Sequence, residues 1–73
     1  MTDLDLTGLK CPLPVLRTRK ALLALQPGDL LSVTCTDPLA AIDVPNLIRE
    51  TGDILENQQE HDGKVTFLVR KAG

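Results

Sequence analysis

Three stretches of this chain alternate apolar and polar residues with period two, and the two stretches between them repeat with a helical period. That switching constrains the fold more than any other feature. The alternation is clearest where Leu31, Val33 and Cys35 interleave with Ser32, Thr34 and Thr36, the pattern of a strand with one buried and one polar face. Cys35 falls on the buried face. A second such run, Val65, Phe67 and Val69 between Thr66, Leu68 and Arg70, follows Asp62-Gly63, a strong two-residue hairpin turn. Asp3-Leu4-Asp5-Leu6-Thr7 is a shorter alternating run, ended by Gly8. Ile54-Leu55 also reads as strand, and the polar Glu56–Glu60 run after it belongs to a sheet edge.

The first helical stretch runs from Pro12 to about Leu25, where Pro27-Gly28-Asp29 breaks it. Val15, Leu22 and Leu25, with Leu16 and Leu23 beside them, form its expected apolar stripe, and Arg17, Arg19, Lys20 and Ala24 lie off it. The second stretch carries Ala41, Val44, Leu47 and Ile48 and ends near Thr51, with Gly52 as its stop. Asp37-Pro38 has the form of an N-cap followed by a first-turn proline. Pro45 cannot donate to the carbonyl four residues back. The favoured reading therefore starts the helix at Asp43 and makes 38–42 a separate turn; a helix kinked at Pro45 is the alternative. The order β-α-β-α-β-β makes an α/β (α+β) two-layer sandwich, with both helices on one face of a four-stranded mixed sheet. The 73 residues are read as a single domain.

Composition removes several functions. Eight basic residues against ten acidic leave a net charge of −2, and Phe67 is the sole aromatic. Direct nucleic-acid binding and an anionic membrane are therefore poor expectations. No apolar run approaches the roughly 18 residues of a membrane span, and no signal-peptide pattern opens the chain, so a cytoplasmic location is expected. Two cysteines and one histidine are too few for an ordinary structural zinc site, so no metal and no cofactor is expected. A Cys11–Cys35 bridge is a poor default in a reducing compartment.

The segment Gly8-Leu9-Lys10-Cys11-Pro12-Leu13-Pro14 joins the first strand to the first helix. Pro12 biases Cys11 toward extended dihedrals, which suits an N-cap, and places Pro12 and Pro14 at the first and third helical positions. A helix start carries partial positive charge, and Lys10, Arg17, Arg19 and Lys20 add four cations in eleven residues without an acid. Both effects favour a thiolate, so Cys11 is expected to be the reactive thiol. Cysteine is a weak N-cap beside Ser, Thr, Asp or Asn, so capping alone is a poor reason for its presence.

Gly8-x-x-Cys11-Pro12-x-Pro14 resembles the signature of the TusA/SirA/YedF family of small sulfur-carrier proteins. The resemblance continues through Val15-Leu16-x-x-Arg19-Lys20, Pro27-Gly28, Asp37-Pro38, Asp43-Val44-Pro45 and Leu68-Val69-Arg70-Lys71, across nearly the whole chain. It implies the same sandwich fold. It also implies a sulfur carrier whose Cys11 accepts sulfane sulfur as a persulfide from a cysteine desulfurase or a rhodanese-type donor. A downstream acceptor protein then takes the sulfur for tRNA thiolation, cofactor sulfuration or sulfur oxidation. This is sulfurtransferase-type thiol chemistry rather than that of a stand-alone catalyst, in a protein expected to be a monomer. Gly8, Pro12 and Pro14 would support the motif. Lys10, Arg17, Arg19 and Lys20 are read either as a solvated face or as a docking patch that favours the thiolate. Leu13 stands where a member of the family commonly carries an acid, and reads as an apolar anchor or as packing. Cys35 is read as a buried apolar residue, His61 as a turn residue, Asp37 and Asp43 as helix caps, and Asp5 as a strand-surface charge. The alternatives from other classes are a non-catalytic regulatory or interaction module that keeps the Cys-Pro-x-Pro helix start, and a redox protein pairing Cys11 with Cys35.

Overall fold

The computed structural model describes residues 1–10 and 12–72. Four strands, β1 (Thr2–Leu6), β2 (Leu30–Cys35), β3 (Ile54–His61) and β4 (Lys64–Arg70), form one sheet in the order β1-β2-β4-β3. β1 runs parallel to β2, and the other neighbours are antiparallel. The mixed sheet follows from the connections. A long helical crossover links β1 to β2, whereas β3 and β4 are joined by the two residues Asp62 and Gly63. Both have positive φ, 50° and 75°, as the tight turn between right-twisted strands requires.

Helices α1 (Leu13–Leu23) and α2 (Ala40–Thr51) pack against each other, α1 against β1 and β2 and α2 against β3. The α/β (α+β) sandwich with two helices on a four-stranded mixed sheet is thus the fold observed. Its core joins Leu6, Leu31, Val33, Cys35, Val65, Phe67 and Val69 of the sheet to Leu22, Ala40, Val44 and Ile48 of the helices. The alternating residues are the buried ones in β2 and β4, as their period demands. On the opposite face the Thr34 and Thr66 hydroxyls lie 3.3 Å apart. β3 is an edge strand with a register shift between Leu55 and Asn57; its polar sequence suits an unpaired edge.

Three helical expectations need correction. In α1 the buried line is Pro14, Thr18 and Leu22, spaced i, i+4, i+8. Leu16 and Leu23 are 54% and 76% exposed, outside the core. The Thr18 hydroxyl donates to the Pro14 carbonyl at 2.7 Å, so a polar side chain occupies a core position with its hydrogen bond made internally. The helix begins at Leu13 with Pro12 as its N-cap, one residue later than the capping role expected for Cys11, which itself lies outside the described residues. Finally, α2 starts at Ala40 rather than Asp43 and contains Pro45. Burial of Val44, Leu47 and Ile48, about 1.5–3 kcal/mol each, outweighs the roughly 3 kcal/mol that an interior proline costs. The Asp37 side chain accepts from the Leu39 backbone N–H at 3.1 Å ahead of this helix, and Asp43 lies in its first turn, where a carboxylate suits the helix dipole. Gly52, at φ 80°, ends α2 as expected.

Candidate functional site

Because β1 and β2 are parallel, with Leu6 paired in register to Cys35, the loops that leave them emerge at the same end of the sheet. The first loop carries Gly8, Leu9 and Lys10 toward α1; the second carries Thr36, Asp37, Pro38 and Leu39 toward α2. Together these seven residues line an open groove of about 430 Å³. A hydrogen bond from the Gly8 N–H to the Thr36 hydroxyl oxygen, at 2.9 Å, ties the two loops across it. Gly8 has φ 84°, a backbone conformation that a side chain disfavours. The chain turns immediately after β1, where the Leu9 N–H reaches the Leu6 carbonyl at 3.1 Å.

Two backbone hydrogen bonds flank the start of α1. The Leu13 N–H donates to the Lys10 carbonyl at 2.9 Å, and the Leu16 N–H donates to the Pro12 carbonyl at 3.1 Å. Neither proline leaves an acceptor short, because the first turn of a helix has no internal use for its N–H groups. Their surroundings differ: Pro12 is exposed, whereas Pro14 is buried in the core. Leu13 is 43% exposed on the first helical turn.

The cations divide by location. Lys10 borders the first groove. Arg19 lines a second groove, between the helices, with Pro12, Val15, Asp43, Asn46, Leu47 and Glu50. Arg17 and Lys20 are exposed and line neither. Helix α1 has no acid in its first turn, while the facing side of α2 supplies Asp43 and Glu50.

Cys35 is a free thiol with no solvent exposure. Burial pushes its thiol above the usual range, and the Asp37 carboxylate pushes it the same way. It is therefore held neutral inside the sheet. His61 is an exposed residue at the end of β3, 3.2 Å from the Asp62 carboxylate. Asp5 is exposed, and its carboxylate accepts from the Thr7 backbone N–H at 3.0 Å. Among the described residues no cluster of His, Cys, Asp and Glu could hold a metal ion.

Two residues escaped sequence reasoning. Thr36 reads there as one more polar position of an alternating strand, but it stands one residue past β2 and ties the loops. Asp53 is almost fully buried; it accepts from the Thr51 hydroxyl at 2.7 Å and from the Ala72 N–H at 2.9 Å, with the Lys71 ammonium 3.7 Å away. Its only sequence signal is an acid directly after the Gly52 stop.

The chain matches the sulfurtransferase TusA family over residues 2–71. It belongs to that family. It is 49% identical over 67 residues to a candidate sulfur carrier protein of Neisseria meningitidis, covering 92% of this chain and 90% of that one. It is 41% identical over 70 residues to the sulfur carrier protein TusA of Allochromatium vinosum, covering 96% and 92%. Among solved structures, a SirA-like protein from Desulfitobacterium hafniense superposes with a TM-score of 0.88 over the whole of both chains, at 24% identity. That likeness concerns the fold. The TusA family match bears on the chemistry.

Proposed function

We propose that this TusA-family protein is a sulfur carrier in which Cys11 holds sulfane sulfur as a persulfide between a donor and an acceptor protein. The observation that carries the reading is the placing of the Cys-Pro-x-Pro segment. Its described residues, Pro12, Leu13 and Pro14, open α1 at the end of the sheet where both parallel strands finish, and Lys10 before them borders an open groove. A cysteine there meets the positive end of a helix and the neighbouring Lys10, both of which favour its thiolate.

The chemistry needs no further group. The Cys11 thiolate attacks the outer sulfur of a donor persulfide; a new S–S bond forms and the donor's own S–S bond breaks. The donor leaves as a thiolate, and the transferred sulfur keeps its proton or gives it to solvent. An acceptor thiolate then attacks the outer sulfur on Cys11 in the same way and releases the Cys11 thiolate. The redox balance closes at each step, so no oxidant, reductant or cofactor enters.

Cysteine desulfurases and rhodanese-type enzymes are the donors whose product fits this step. Lys10 beside the first groove and the exposed Arg17 and Lys20 are the cations offered to acidic partners, with Leu13 as an exposed apolar contact. Arg19 shares its groove with Asp43 and Glu50. The protein acts as a cytoplasmic monomer in this reading. Among the described residues no helix is long and apolar enough to cross a membrane. Cys35 takes no part, since it is buried and neutral.

The test loads reduced protein from cysteine with a cysteine desulfurase, or from thiosulfate with a rhodanese, and records intact mass without reductant. One reductant-labile sulfur is expected on wild type and Cys35→Ser, and none on Cys11→Ser. Loading that depends equally on both cysteines would replace the carrier with a paired-thiol mechanism. No loading from either donor would favour the interaction module.

A further inference from the structure

We infer that Thr36 is a positioning residue for Cys11, an assignment that rests on the carrier reading above. The tie between its hydroxyl and the Gly8 N–H, 2.9 Å long, joins residues 28 apart in sequence. It links the β1–α1 loop to the β2–α2 loop. The anchored residue stands three positions before Cys11, at a glycine whose φ of 84° already marks a sharp change of chain direction. From there, the Leu9 N–H to Leu6 carbonyl bond fixes one end of the loop and the Leu13 N–H to Lys10 carbonyl bond fixes the other. Ahead of both donors, the Thr36 hydroxyl holds Gly8 against the neighbouring strand's exit.

The geometry also separates this role from simple stability. Gly8 is exposed, so water can satisfy its N–H when the hydroxyl is removed, and no buried donor is orphaned. Thr36 lies just beyond β2, whose core residues Leu31, Val33 and Cys35 remain in place without it. Losing the bond therefore loosens the loop rather than the sandwich. A sulfur transfer between two proteins depends on where the attacking atom is presented, and small displacements lower its rate steeply.

The experiment compares wild type, Thr36→Val, Thr36→Ser and Cys11→Ser. Val keeps the branched shape without an acceptor; Ser keeps the acceptor without the methyl. Rhodanese-driven loading of Cys11 from thiosulfate is timed by intact mass, and amide exchange at Gly8 is followed by NMR in wild type and both Thr36 variants. Thr36→Val is expected to load about fivefold more slowly, the population change carried by one neutral hydrogen bond, and to lose protection at Gly8. Thr36→Ser is expected to restore both to within twofold of wild type. Loading of Thr36→Val at the wild-type rate, equal slowing of the Val and Ser variants, or an unprotected Gly8 amide in wild type would each overturn the assignment. Loading that survives Cys11→Ser overturns the carrier reading itself, so the two failures are distinguishable.

Discussion

Place the single remaining thiol of a Cys11→Ser variant under an alkylating reagent at pH 7, and the structure dictates how slowly Cys35 reacts. Two factors multiply. An ordinary thiol near 8.5 is only about 3% thiolate at pH 7, and burial lowers that fraction further for Cys35. Access is the larger factor. Cys35 has no exposed surface and lies on β2, which is paired on both sides, to β1 and to β4. A strand so placed opens only when the sheet comes apart, so its exposure follows global unfolding. At about 0.05–0.15 kcal/mol per residue, 73 residues give roughly 4–11 kcal/mol. The expected protection is therefore at least about a thousandfold relative to the denatured chain. Intact-mass kinetics with and without denaturant read this directly. Alkylation within tenfold of the denatured rate would refute the burial argument, and with it the exclusion of Cys35 from the chemistry. The same raised thiol gives a pH signature. Its folded-state value lies above the unfolded one, so its contribution is complete below the ordinary thiol range and is lost as pH rises through the folded value. The melting temperature should fall in alkaline solution, and Cys35→Ala should remove that part of the fall.

Phe67 is fully buried at the centre of the core; Phe67→Ala is expected to cost about 3–5 kcal/mol, and a loss below about 1.5 kcal/mol in urea melts would contradict its central place. Asp53→Ala leaves the Ala72 N–H without its acceptor and is expected to cost about 1–3 kcal/mol with faster amide exchange at Ala72; Asp53→Asn, which keeps an acceptor oxygen, should recover most of it. The Thr7 hydrogen bonds hold the Asp5 carboxyl below its ordinary 3.8, so its stabilising contribution is present above that range and is lost as pH falls through the depressed value. An NMR titration should show Thr7→Ala returning Asp5 upward, and an unmoved Asp5 would remove the Thr7 hydroxyl as the main cause.

Much of this protein was legible in the order of its residues because local rules and burial agree there. The alternation in Leu31–Thr36 and Val65–Arg70 leaves one register that buries the apolar side, and Asp62-Gly63 has the residues that a two-residue turn demands. Cys-Pro-x-Pro announces a helix start through the dihedral limits of proline. The places where reading failed are those where a local preference met a larger tertiary gain. Pro45 argues against a helix over its own turn, yet Val44, Leu47 and Ile48 bury enough surface to carry the helix through it. Thr18 looks like surface until its hydroxyl finds the Pro14 carbonyl and the core closes over it, leaving Leu16 and Leu23 outside. The Gly8–Thr36 tie and the Asp53 clasp join residues 28 and 19 apart, distances over which no local pattern runs. Sequence alone determined the order of the elements and the Cys-Pro-x-Pro start of the first helical stretch, because backbone dihedrals and side-chain period are local. Only the tertiary structure decided which helix face is buried and what holds the loops together, since those depend on partners that the fold itself brings near.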